Sequence, residues 1–199
     1  MKSFMLSASP RRAPAARCVL AVLLAVAPAV GCDAGWSART PADRPLVRWE
    51  ARAVDLFDDD IDPAALGLSL DASSARSDPL LRERAQTADF VGRVRVQTVT
   101  VDKIGDDVSF HLVIQAQLPA LATPRVRDTS FELNIKPQAR GYALAKAFDS
   151  RLRGLTFVAF VQRYASTDGE PELHFHLSAD TPELAAAVKE AVMIAELSR

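Results

Sequence analysis

His174 and His176 stand two residues apart in the stretch Pro171–Leu177, PELHFHL. Strand side chains alternate, so both imidazoles would share one face with Glu172, while Leu173, Phe175 and Leu177 take the other. Imidazole suits zinc and copper, and a His-x-His pair can supply two ligands to such an ion. A carboxylate would have to complete the set. Glu172 reaches only if the strand curls, and His111 stands alone in another segment. Asp58, Asp60 and Asp62 repeat at spacing two, as an EF-hand loop begins. That loop needs glycine at its sixth position and an acid at its twelfth. Pro63 and Ser69 occupy those places, so the run reads as a solvated acidic loop. Trp36 and Trp49 are candidates for stacking on sugar rings. The G-x-S-x-G, H-E-x-x-H and phosphate-cradling glycine signatures are missing, which argues against an enzyme.

The elements that would position these residues follow from periodicity. Phe90 to Val101, FVGRVRVQTVTV, is the longest strand-forming run. Phe90, Val94 and Val96 share one parity, and Val99 and Val101 the other. One extra residue near Gln97 or Thr98, a β-bulge, would return both halves to the core side. Val108 to Leu118 alternates as a half-buried strand, and Phe131 to Lys136 alternates until Pro137 stops it. Gly141 to Ser150 reads as a short helix. Leu155 to Val161 is apolar on both faces, as a buried strand should be, and Leu173 to Leu177 is a fifth strand. Phe157 and Phe175 are the expected core aromatics. Thr181-Pro182-Glu183 opens a strong terminal helix, with Thr181 as its cap. Upstream, Leu46 to Phe57 fits strand or helix, and Asp78-Pro79 opens a short helix to about Thr87.

The expected fold class is therefore α+β, mostly β. Three strands, a short helix, two strands and a terminal helix resemble the order of the OB-fold, a five-stranded Greek-key barrel. The resemblance is one of topology and covers Asp89 to Ser178. It implies that the fifth strand lies beside the third, which would bring Glu132 next to His174 and His176 as a third metal candidate. It also implies binding through the loops joining strands one–two and four–five. Those loops would offer Asp102, Lys103, Asp106, Asp168 and Glu170.

The N-terminus carries an address. Lys2, Arg11, Arg12 and Arg17 form a basic region, and Val19 to Ala29 is an apolar run too short to span a bilayer. It ends in Ala29-Val30-Gly31-Cys32, which resembles the bacterial lipoprotein signal. The resemblance implies cleavage after residue 31 and acylation of Cys32. The organisation is then 1–31 signal peptide, 32–45 tether, 46–88 an extension with a short helix, and 89–199 the barrel domain. Removing the signal takes four of the 24 Lys and Arg and none of the 25 Asp and Glu, leaving a mildly acidic chain. That balance argues against nucleic acid as a partner. Cys18 leaves with the signal, so no internal disulfide can form.

The expectation is a lipid-anchored protein of the cell envelope, facing the periplasm. It needs no cofactor, is held to the membrane by its anchor, and binds an envelope protein or polysaccharide without catalysis. The alternatives are a metal-binding envelope enzyme using the His-x-His pair, and a carbohydrate-binding module.

Overall fold

The computed structural model describes residues 45–68, 78–105 and 107–197. The expected signal peptide, Cys32, Trp36, nearly all of the expected tether and Asp106 lie outside the described residues. In chain order the elements are α1 (Arg52–Leu56), β1 (Asp60–Ile61), a 3-10 turn (Pro63–Leu66), α2 (Leu81–Thr87), β2 (Phe90–Ile104), β3 (Asp107–Ala116), β4 (Ser130–Ile135), α3 (Tyr142–Leu152), β5 (Thr156–Ala165), β6 (Pro171–Ala179) and α4 (Pro182–Leu197).

One sheet of six strands, in the order β1-β6-β5-β2-β3-β4, curls into a half-barrel. The expectation of five strands is thus corrected to six. The addition is β1, which runs parallel to β6 with Asp60 opposite His176 and Ile61 opposite Leu177. Leu46 to Phe57 resolves into the helix α1 and an isolated bridge from Arg48 to Ala165. The fifth sequence-derived strand, β6, pairs with β5 and β1, so the expected adjacency to the third, β4, is not made through the backbone. A Lys136–Glu172 ion pair joins the end of β4 to β6 instead.

β2 organises the sheet. Its register against β3 shifts between Val96 and Thr98, the place where the parity of its valines breaks. Val94 and Val96 are buried and Val99 is half-buried. Val101 is 49% exposed, against the expectation of an inward side chain, because β2 runs past its pairing with β5 into a free-standing ribbon with β3.

Both faces of the sheet are covered. The inner face buries Val94, Leu112, Ile114, Leu133, Phe157 and Phe175 with Leu152 of α3. The outer face buries Val91, Val158, Phe160 and Tyr164 beneath α2, α4 and residues Leu56 and Phe57. β5 therefore has core on both sides, which explains its unbroken apolar run. Asp78 accepts from the Leu80 amide at 2.8 Å ahead of α2, and Thr181 accepts from the Leu184 amide at 3.1 Å, capping α4.

Candidate functional site

Residues 45–62 form a strap that crosses the outer face and ends as β1 on the edge of β6. The Ala165 amide donates to the Val47 carbonyl at 2.8 Å, and the Trp49 indole donates to the Phe57 carbonyl at 2.8 Å. Beyond Phe57 come three consecutive aspartates, which are drawn into the edge of the sheet rather than left in water. Asp58 is 8% exposed and Asp59 6%, so the solvated acidic loop expected from the sequence is overturned.

What draws them in is the His-x-His pair. Asp59 Oδ2 lies 2.8 Å from His174 Nδ1, and Asp58 Oδ1 lies 2.8 Å from His176 Nδ1. In a regular strand, consecutive residues point to opposite faces. Asp58 and Asp59 nevertheless both reach imidazoles that share one face of β6. Asp59 has φ +51°, a left-handed conformation that aspartate tolerates better than most residues, and it breaks the alternation. The same carboxylate accepts from the Phe175 amide at 3.1 Å, and the Asp59 amide donates to the Phe175 carbonyl at 2.9 Å.

Gly141, at the start of α3, closes this corner. Its amide donates to the Asp59 carbonyl at 3.1 Å, and a Cβ there would sit 2.8 Å from that oxygen. Its φ is an ordinary helical −70°, so room for the strap, not backbone freedom, is what this position requires.

His174 is held on every side. Trp49 stacks on it with ring centroids 3.8 Å apart and planes 8° from parallel, and Tyr164 meets it edge-on at 5.8 Å. An ionised carboxylate only accepts, so Nδ1 is the donor to Asp59 and Nε2 is left to face away. The nearest partner of Nε2 is Glu172 Oε2 at 3.9 Å, beyond hydrogen-bonding distance. Both groups line a cleft of about 400 Å³, together with Trp49, Arg48, Lys136 and Thr167.

The three aspartates differ electrostatically. Burial pushes the Asp58 carboxyl up, but the hydrogen bond and charge of His176 and the Arg140 guanidinium at 3.0 Å outweigh it, leaving Asp58 below the ordinary value. Burial wins at Asp59, where His174 and the Phe175 amide compensate only in part, and its carboxyl is raised. Burial, then the neighbouring Asp58 charge, raises Asp60. Asp62 stands apart, accepting from the Ala64 amide at 2.9 Å to start the 3-10 turn.

Of the sequence-derived metal candidates, His174 and His176 come together on the strap side of β6. Glu132 does not join them. It is exposed on β4 opposite Val113, because β6 has β5 and β1 for neighbours. Among the described residues no group of three or more His, Cys, Asp or Glu is arranged to hold a metal ion. His111 pairs with Asp102 at 3.0 Å across β2 and β3. Of the expected binding loops, Asp168 and Glu170 are exposed on the β5–β6 turn, whose Ser166 and Thr167 border the cleft. Asp102 and Lys103 sit on the far end of β2, and neither lines the cleft.

The sequence did not reveal Asp58 and Asp59 as the histidines' partners, Trp49 as the lid of His174, or Gly141 as their support. Their one sequence-level signal is an acidic triplet without charge compensation nearby. Comparison with protein families, curated proteins and solved structures yields no match.

Proposed function

We propose that this chain is a lipid-anchored protein of the cell envelope, facing the periplasm, that binds its ligand without transforming it. The ligand seat is the cleft beside His174. The basic N-terminus, the apolar run and Ala29–Cys32 support the anchor and the address. No helix among the described residues is long and apolar enough to cross a membrane. We read the sheet as an OB-like barrel left open between β4 and β6, with the strap and the cleft at the opening.

The observation that carries the binding reading is the cleft itself. Its volume of about 400 Å³ falls in the range of small-ligand sites, and its floor is a pre-oriented imidazole with one free nitrogen. Each imidazole already spends its Nδ1 on a buried carboxylate, and for His174, the one that lines the cleft, this fixes the ring as a rigid part of the floor. A carboxylate behind Nδ1 also suits a metal-ligating histidine, and this favours the metal-dependent alternative as the second reading. A stoichiometric metal in the purified protein, lost on changing His174 and His176, would select it.

The test of the binding reading is site-specific photo-crosslinking in intact cells. A photo-reactive residue at Thr167, exposed on the rim, should capture an envelope component, whereas one at Val101, exposed on the far ribbon, should not. Capture at neither position, or equally at both, would refute the cleft as the seat.

A further inference from the structure

Two acceptors face the same space on the cleft floor. His174 Nε2 and Glu172 Oε2 lie 3.9 Å apart, too far to bond each other and close enough to be bridged by one ligand. Glu172 Oε1 is taken by Lys136, which leaves Oε2 as the presented oxygen and leaves the ammonium further donors to offer. Arg48 adds a second cation and Glu50 another carboxylate at the rim; Ser166 and Thr167 contribute hydroxyls. Donors and acceptors are thus interleaved around an indole, Trp49, with nearly balanced charge.

That lining selects against simple ions. An anion would meet Glu172, Asp59 and Glu50, and a cation would meet Lys136 and Arg48. It suits a ligand whose neighbouring atoms each donate and accept, with apolar C–H faces between them. Adjacent hydroxyls on a sugar ring have this property. One hydroxyl donates to His174 Nε2 and the next to Glu172 Oε2, while their oxygens accept from Lys136 and Arg48. The apolar side of the ring then lies against Trp49.

Resting on the cleft as the seat, we infer that its ligand is a saccharide, held by neighbouring hydroxyls at His174 Nε2 and Glu172 Oε2. The envelope is rich in such polymers, but the chemistry of the lining is what points to the class. No covalent step is involved.

The test uses the purified full-length lipoprotein in a detergent without a sugar headgroup, carrying Trp36→Phe so that fluorescence reports Trp49 alone. The probes are chitotriose and maltotriose. At least one should change Trp49 emission saturably at or below ~10 mM, an affinity typical of weak small-ligand binding. Glu172→Gln keeps the shape of the side chain and removes its charge, and should weaken that binding about tenfold or more, as losing a hydrogen bond to a charged group does. Lys136→Met should weaken it severalfold. Gln115→Ala, on the β3 side of the sheet, should leave it unchanged. No response to either sugar, or a Glu172→Gln variant that binds as tightly as the parent, overturns the inference. Crosslinking at Thr167 separates the two levels. Capture of a protein with no sugar response removes the saccharide and keeps the seat. No capture and no sugar response removes both.

Discussion

Asp59 is the residue on which the strap, the site and the sheet edge converge, and its removal has a calculable cost. Asp59→Ala withdraws the acceptor from two buried donors, His174 Nδ1 at 2.8 Å and the Phe175 amide at 3.1 Å. Each buried donor left unsatisfied costs about 1–3 kcal/mol. It also removes the short polar side chain that eases φ +51° for an aspartate, so the left-handed backbone costs the alanine up to about 1 kcal/mol more. His174 can recover part of this by moving its proton to Nε2 and donating toward Glu172. The expected loss is about 3–5 kcal/mol, a large share of a typical domain's 5–15 kcal/mol.

Asp59→Asn is the informative companion. It keeps the side chain that tolerates the left-handed backbone and keeps an oxygen for the Phe175 amide. Its NH₂ then faces His174 Nδ1 and forces that nitrogen to accept, at a cost of about 1–2 kcal/mol. Urea unfolding monitored by fluorescence measures both losses. Imidazole nitrogen NMR reads the tautomer, with the proton on Nδ1 in the parent and on Nε2 in Asp59→Asn. If both variants unfold within about 0.5 kcal/mol of the parent, or the tautomer is the same in both, the carboxylate does not hold His174 as described.

The neighbouring aspartates should answer pH in opposite ways. The folded state lowers the Asp58 carboxyl, so Asp58 contributes stability above the ordinary carboxylate value near ~3.9 and loses it as pH falls toward the lowered one. Asp58→Asn should therefore cost about 1 kcal/mol at pH 6, and the gap should close in acid; a gap constant from pH 6 to pH 3 would contradict this. The folded state raises Asp59, so its ionised form carries a penalty that is relieved as pH falls through the raised value, and the parent should gain on Asp59→Asn in acid. Gly141→Ala, at φ −70°, would ordinarily stabilise a helix start, but with 2.8 Å between the new Cβ and the Asp59 carbonyl it should instead cost about 1–3 kcal/mol in thermal or urea unfolding. Phe157→Ala and Phe175→Ala, both fully buried, should each cost about 3–5 kcal/mol; melting within a degree or two of the parent would refute the inner-face packing.

How much of this was legible in the sequence depended on whether a feature is local. The break in β2 was readable because a parity change among Val94, Val96 and Val99 has one simple geometric cure, and the register shift at Val96/Thr98 is that cure. The buried β5 and the capped α4 were readable for the same reason, since their apolar pattern and Thr181-Pro182 lie within a few residues. Val101 misled because parity tells which side a residue faces and not whether anything covers that side. β1 was invisible. It is two residues long, and an Asp-rich stretch has little strand propensity, so only the edge of β6 makes it a strand. The His–Asp pairs were invisible because Asp59 and His174 are 115 residues apart and nothing local links them. Glu132 was misplaced because a strand order constrains which strands follow one another and leaves open whether the curl closes.

The two imidazole–carboxylate pairs explain how so short an edge strand keeps its register. Two residues of parallel pairing hold a strand weakly, and such an edge is open to slippage. A slip by one residue along β6 would turn Ile61, fully buried against the inner core, toward the outer face. It would also carry Asp58 and Asp59 away from His176 and His174, leaving two carboxylates in a water-poor corner without partners. Breaking a buried pair in this way costs far more than an intact pair contributes over apolar residues of similar size. The pairs therefore act less as net stabilisers than as a penalty on every other alignment, and the apolar and polar devices enforce the same one. Because Arg48, Trp49 and Glu50 ride on the same strap, the register that satisfies Asp58 and Asp59 also sets one wall of the cleft. The charges that fix the edge of the sheet thereby fix the shape of the proposed binding site.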